Sequence, residues 1–113
     1  MQFSVVEQTE HWILMALEGR MDASGVNEIE AGFLAQAGAT GKPVLLDMAK
    51  VAFVASLGMR LLLGAAKTLK RSGGRLVLVS PQPLVQSALL AAGLDQVIPI
   101  AASKDEAAKA VGR

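Results

Sequence analysis

The sequence VAFVASLGMRLLLGAAKTLK, from Val51 to Lys70, decides the fold. It opens as an apolar strand that ends near Val54, turns at Ala55 and Ser56, and continues from about Leu57 with the spacing of an amphipathic helix. Strands that alternate with helices in this way imply parallel pairing and right-handed crossover connections. The stretch therefore predicts an α/β protein.

Ser56 stands at the turn of this stretch, and it allows two interpretations. A serine just before a helix is a good N-cap, because its oxygen accepts a hydrogen bond from a free N–H group of the first turn. The same place is electropositive, through unpaired N–H groups and the helix dipole, so a phosphate on Ser56 would lie where anions are favoured. The local sequence leaves both a structural cap and a phosphorylation site open.

The N-terminal half of the chain predicts a hairpin, a helix and a buried strand. Two strands separated by a short polar turn predict an antiparallel hairpin. Asp22 or Ser24 is placed to cap the helix that follows, and Gly38 to end it. The predicted segments are strands Phe3–Gln8 and Trp12–Leu17, a helix from about Gly25 to Ala37, strand Val44–Asp47 and a turn at Met48–Lys50.

The C-terminal half continues the alternation of strands and helices. Gly73 ends the second helix, and Ser103 with Glu106 has the pattern of a capping box. We expect one domain, residues 1–113, with a mixed sheet of about five strands, parallel apart from the N-terminal hairpin, and about four helices. The predicted segments are strand Arg75–Val79, a helix ending near Ala92, strand Val97–Ile100 and a helix over Lys104–Val111.

Composition restricts the class of protein. With 52% hydrophobic and 19% charged residues, disorder is not expected, and a formal net charge of +1 gives no strong attraction to nucleic acid. The absence of cysteine excludes disulfides and thiolate metal sites. The N-terminus lacks the features of a signal peptide, and the apolar runs are shorter than a membrane span. We therefore expect a cytoplasmic protein.

The sequence carries no recognisable catalytic pattern. It contains neither a P-loop nor a dinucleotide glycine fingerprint, and His11 is its only histidine. Ser56 is not in a nucleophile elbow, which requires a glycine two residues earlier. Asp22 and Asp47 are the acids whose loops are candidates to lie near Ser56, and neither is a typical base for serine. We therefore expect no enzyme activity, no catalytic residue, no metal and no cofactor, and a binding module that can carry a covalent switch.

Five segments together resemble the STAS domain of anti-sigma factor antagonists, also called anti-anti-sigma factors. Each is similar to a segment of that family, and their order and spacing agree over nearly the whole chain. The segments are LEGRMD (Leu17–Asp22), VLLDMAKVAF (Val44–Phe53), VASLGMR (Val54–Arg60), GGRLVLV (Gly73–Val79) and AGLD (Ala92–Asp95).

The resemblance implies a function in bacterial transcription regulation and signal transduction. Ser56 aligns with the serine that is phosphorylated in the family. The partner is an anti-sigma factor that is also an ATP-dependent serine kinase, and the unphosphorylated antagonist binds it and frees the sigma factor. Phosphorylation releases the antagonist, since a phosphate adds about 1.5 to 2 negative charges that an interface must desolvate. A monomer or a weak homodimer is expected.

The resemblance also suggests a partner surface around Ser56. Asp22 matches the acidic residue beside the switch, where it either helps to orient the nucleotide of the kinase or caps a helix. Ala55 stands where many members carry Asp, and Leu57 where many carry Ser, Thr or Ala, which changes the surface that a kinase reads. Met59 and Leu63, if exposed, form a small apolar patch. The expected partner-binding residues are Asp22, Ala55, Ser56, Leu57, Gly58, Met59, Arg60 and Leu63.

A second function stays open within the same family. STAS domains also serve as subunits of a phospholipid-transport ATPase complex or of stress-signalling assemblies. In such an assembly the domain is a scaffold, and Ser56 need not be modified. A third class, an enzyme or a small-ligand binder with a nucleotide or lipid at the helix ends, has less support from the sequence.

Overall fold

A computed structural model of the chain describes residues 1–112, which form strands and helices in the predicted order. The predicted order of strands and helices is present, although several boundaries differ from those predicted. The prediction of a strand over Val97–Ile100 is wrong for its first three residues, because Val97 caps the end of a 3-10 turn and the strand is Ile100–Ala101. The strands are β1 (Gln2–Gln8), β2 (Ile13–Met21), β3 (Val44–Val54), β4 (Leu76–Val79) and β5 (Ile100–Ala101). The helices are α1 (Ala23–Gly38), α2 (Ser56–Arg71), α3 (Pro83–Ala91) and α4 (Lys104–Ala110), with a 3-10 turn over Leu94–Gln96.

The five strands form one mixed sheet in the order β1-β2-β3-β4-β5. β1 and β2 are antiparallel, and the pairs β2–β3, β3–β4 and β4–β5 are parallel. The predicted hairpin and the parallel remainder of the sheet are therefore confirmed.

The third strand is longer than predicted. The predicted turn at Met48–Lys50 is wrong, because these residues lie inside β3. β4 stops opposite Asp47, but β3 continues along β2, where Lys50 lies opposite Glu18 and Val54 opposite Met21. The pairing of β2 with β3 is irregular, with register shifts between Ala16 and Glu18 and again after Gly19.

Apolar side chains cover both faces of the sheet, but unequally. One face packs against α1, α2 and α3 through a large core that includes Phe33, Leu62 and Leu89. The other face carries a smaller cluster, in which Ala107 and Ala108 of α4 pack against the sheet. Alternation along each strand explains this division, since successive side chains point to opposite faces.

Helix ends account for most of the remaining differences. Gly38 is the last residue of α1, so the prediction that it follows the helix is wrong; the C-cap that follows is Ala39, which has right-handed backbone angles. Gly73 follows α2 as predicted, with φ of 88°, and Gly74 N–H donates to Leu69 O at 2.8 Å. Ser103 caps α4 by accepting from Glu106 N–H at 3.2 Å, as predicted.

Candidate functional site

Two loops meet where β2 and β3 end. Met21 and Val54 are paired at the ends of these parallel strands, and Ala55 N–H donates to Met21 O at 2.9 Å. The chain enters α1 after Asp22 and α2 after Ala55, so both helices begin at the same edge of the sheet. This hydrogen bond holds the two helix starts side by side.

Ser56 is exposed and is the first residue of α2. The N-cap is Ala55, whose backbone is extended (φ −98°, ψ 178°) and whose methyl group cannot accept a hydrogen bond. The interpretation of Ser56 as the cap is therefore wrong, because a capping residue must precede the helix with an extended backbone. The start of α2 has no side-chain cap, and the hydroxyl of Ser56 is not committed to that role.

Asp22 caps α1, as one of the two interpretations from the sequence predicted. Its Oδ1 accepts from Gly25 N–H at 2.9 Å, and its Oδ2 lies 3.4 Å from Arg20 Nε. The Gly25 N–H group, with a smaller contribution from the Arg20 guanidinium, holds the pKa of the Asp22 carboxyl below its usual range. An additional contact between Asp22 and a partner stays a prediction.

Gly58 brings the first turn of α2 into direct contact with the end of β2. A Cβ atom at Gly58 would lie 2.7 Å from Met21 Cβ and 2.8 Å from Met21 O. Both distances are shorter than side-chain packing allows, and the second involves backbone. The position of Ser56 relative to the sheet is therefore fixed by packing that only glycine permits.

The apolar surface beside Ser56 differs from the predicted one. Met59 and Leu63 are partly buried and pack against the larger core, so the exposed patch expected from them does not form. The exposed apolar side chains are Leu57, with 40% of its surface accessible, and Phe53, with 39%. Sequence reasoning missed Phe53, although its place next to the buried Val54 in a strand was a signal that it faces the other way.

Arg20 contacts both the carboxylate of Asp22 and the aromatic ring of Phe53. Its guanidinium carbon lies 4.4 Å from the centroid of the Phe53 ring, and its Nε faces Asp22. Arg20 and Phe53 are opposite one another in the β2–β3 register, which brings them together on one face of the sheet. Near this edge of the sheet, Arg20 therefore contacts both the carboxylate of Asp22 and the ring of Phe53.

Asp47, the other acid considered from the sequence, is not at this edge. It lies in the middle of β3, where its Oδ1 accepts from Ala49 N–H at 2.9 Å. Because β3 continues to Val54, Asp47 is seven residues away from the end of the strand. Within residues 1–112, no three acidic or histidine side chains are grouped closely enough to hold a metal ion.

Comparison with known proteins gives a consistent result. Residues 3–107 match the family model of the STAS domain. The chain is 28% identical over 105 residues to BtrV of Bordetella bronchiseptica, which is named as an anti-sigma factor antagonist; the match covers 93% of this chain and 90% of BtrV.

Solved structures agree in fold. A STAS domain protein of Planctomyces limnophilus, described as an anti-sigma-factor antagonist, is 26% identical with a TM-score of 0.83, covering 98% of each chain. SpoIIAA of Bacillus in its phosphorylated form is 25% identical with a TM-score of 0.68, covering 97% of this chain and 99% of that one. Across residues 1–112, none of the helices combines the length and apolar character that crossing a bilayer demands.

Proposed function

Because the chain belongs to the STAS domain family, we propose that it is an anti-sigma factor antagonist switched at Ser56. In its unphosphorylated form it binds an anti-sigma factor that is a serine kinase, and phosphorylation of Ser56 causes the complex to dissociate. The observation that carries the proposal is the exposed Ser56 hydroxyl at the first position of a 16-residue helix without a side-chain cap. The similarity to proteins named as antagonists, and to one solved in a phosphorylated form, supports it.

The start of α2 is suited to accept a phosphate. Its first helical hydrogen bond is Met59 N–H to Ala55 O at 3.0 Å, so the N–H groups of Ser56, Leu57 and Gly58 have no acceptor within the helix. Arg60 is exposed and lies four residues after Ser56, an arrangement that brings two side chains together on a helix surface. The isolated domain can therefore carry the added charge without losing its fold.

The same phosphate opposes binding of a partner. Leu57 follows Ser56 directly in the chain. The exposed side chains of Phe53 and Leu57 are apolar surface that a protein interface would bury. A phosphate on Ser56 carries about two negative charges at neutral pH and is costly to desolvate. Binding in one state and release in the other then follow from one modification.

The proposed contact surface combines exposed and supporting residues. Ser56, Leu57 and Arg60 are exposed and contact the partner directly, with Asp22 and Ala55 beside them. Gly58, Met59 and Leu63 are buried or partly buried and position the first turns of α2. We propose that the protein acts in the cytoplasm, as a regulatory protein and not as an enzyme, without a cofactor.

Intact-mass spectrometry after incubation with ATP and a candidate anti-sigma factor serine kinase tests the proposal. We expect a gain of one phosphate in the wild type and none in Ser56→Ala. Ser24→Ala is the matched control, because Ser24 is also an exposed serine in the first turn of a helix that begins at this edge. It should be phosphorylated like the wild type.

A binding measurement completes the test. The unphosphorylated wild type should form a complex with the kinase, and the phosphorylated protein should bind at least tenfold more weakly. A kinase that modifies another antagonist but leaves this chain unmodified would contradict the proposal. That result would favour the function of a scaffold subunit in a transport or stress-signalling assembly.

A further inference from the structure

A groove lies at the end of α2 remote from Ser56, between the C-terminal half of the helix and the beginnings of β4 and β5. It has a volume of about 490 Å³. Three cations, Lys67, Lys70 and Arg75, line it together with the apolar residues Leu76, Val97 and Pro99. We refer to these six residues as the basic groove. Lys70 follows Ser56 by 14 positions, or about 20 Å along the helix axis, so the groove and the switch are separate surfaces.

The cations of the basic groove are not neutralised by the rest of the described chain. Among residues 1–112, none of the ion pairs includes Lys67, Lys70 or Arg75, and no carboxylate lines the groove. Arg71 is exposed on the adjoining surface and adds a fourth positive charge. The formal net charge of the whole chain is only +1, so this concentration of charge is local.

The helix dipole explains only part of this arrangement. Lys70 and Arg71 lie in the last turn of α2, where cations are favoured. Arg75, however, comes after the helix, and Val97 is on a separate loop with 63% of its surface exposed. A solvated helix end does not require a concave surface with exposed valine beside three cations.

We propose that the basic groove binds a segment of a partner protein in which carboxylates flank one or two apolar side chains. The apolar side chains would contact Val97 and Pro99, and the carboxylates would pair with Lys67, Lys70 and Arg75. Charge complementarity and the concave shape favour such a segment over a flat lipid surface. This proposal does not rest on the proposed function, because none of the residues of the basic groove belongs to the surface around Ser56.

A titration of the isotope-labelled full chain, followed by amide chemical shifts, tests the proposal. The probe is an acetylated nine-residue peptide in which Glu and Leu alternate, and the control peptide has Lys in place of each Glu. We expect shifts at residues 66–76, 97 and 98, with an affinity in the range of about 10 to 500 μM. The control peptide should cause none, and raising the NaCl concentration from 50 to 500 mM should weaken binding.

Two variants of the protein separate the groove from general electrostatic attraction. Lys67→Glu/Lys70→Glu should weaken binding of the acidic peptide about tenfold or more, because attraction at the rim becomes repulsion. Lys50→Glu/Lys109→Glu changes the net charge equally at exposed lysines outside the groove and should bind like the wild type. Val97→Ser should weaken binding about threefold through loss of apolar contact.

Three results would overturn the proposal. The first is no binding of the peptide at millimolar concentration, and the second is equal weakening by both double variants. The third is sedimentation with phosphatidylglycerol vesicles without any peptide binding, which would assign the cations to a membrane surface. The phosphorylation assay on Ser56 is measured separately, so failure of one proposal is distinguishable from failure of the other.

Discussion

Helices α1 and α2 begin side by side at one edge of the sheet, and their first turns are stabilised differently. The first turn of α1 is capped by Asp22, which accepts from Gly25 N–H. The first turn of α2 follows Ala55 and has no side-chain cap, although it packs against Met21 through Gly58. At the start of α1, a free N–H group therefore has an acceptor within the chain. The start of α2 keeps N–H groups without an acceptor in the helix, beside the exposed Ser56.

The largest effect is expected where α2 depends on packing. Gly58→Ala should lower the free energy of unfolding by about 2 kcal/mol, because the new methyl group would overlap Met21. Gly64→Ala, in the same helix with open space around it, should instead raise it by about 0.5 to 1 kcal/mol. Urea unfolding of both variants checks this, and equal effects would show that α2 does not pack tightly on β2.

Removal of the carboxylate cap should destabilise α1. Asp22→Ala should lower the urea midpoint by about half a molar at pH 7, because the first turn loses its acceptor. Glu30→Ala, on the exposed side of the same helix, is the control and should have little effect. An unchanged midpoint for Asp22→Ala would mean that water caps α1 equally well.

The effect of Asp22 should also depend on pH. Because folding lowers the pKa of this carboxyl, its contribution to stability is fully present above the unfolded pKa of about 3.9. The contribution is lost as the pH falls through the lower pKa of the folded state. The difference between the midpoints of the wild type and Asp22→Ala should therefore be larger at pH 7 than at pH 3. A constant difference at both pH values would contradict the assigned role.

A cap introduced into α2 should make the two helix starts more alike. Ala55 already has the extended backbone of an N-cap, so Ala55→Asp should raise the free energy of unfolding by about 1 kcal/mol. Ala55→Leu, which provides no acceptor, is the control in urea unfolding. Absence of a gain in Ala55→Asp would indicate that the free N–H groups of α2 are already satisfied.

The smallest effect is expected from the phosphate itself. Phosphorylation of Ser56 should stabilise the isolated domain by about 0.5 kcal/mol, since the charge lies at a positive helix end. Arg60→Ala should reduce this gain by about 0.3 kcal/mol, whereas Lys67→Ala, farther along α2, should not. Thermal unfolding of both forms measures the difference. Destabilisation by the phosphate would show that the start of α2 does not accommodate an anion.

Local patterns were sufficient to predict the order of the elements and the family. Runs such as Val44–Leu46 and Leu76–Val79 are apolar without interruption, as buried parallel strands require. As their sequence neighbours predict, Ser103 caps the start of α4, and Gly73 follows the end of α2 with a positive φ. Asp22 was recognised as a possible cap for the same reason. Each of these features depends on neighbours within a few residues.

Features that depend on contacts between distant segments could not be predicted in this way. Only pairing with β2 shows that Met48–Lys50 belong to a strand, and only the close approach of Gly58 to Met21 explains why glycine is needed there. Burial of Met59 and Leu63, and exposure of Phe53, follow from how α2 and β3 pack. The sequence by itself determined the elements, their order and the presence of a serine after β3. The tertiary structure decided which residues surround that serine, because packing between segments far apart in the chain sets burial and strand register.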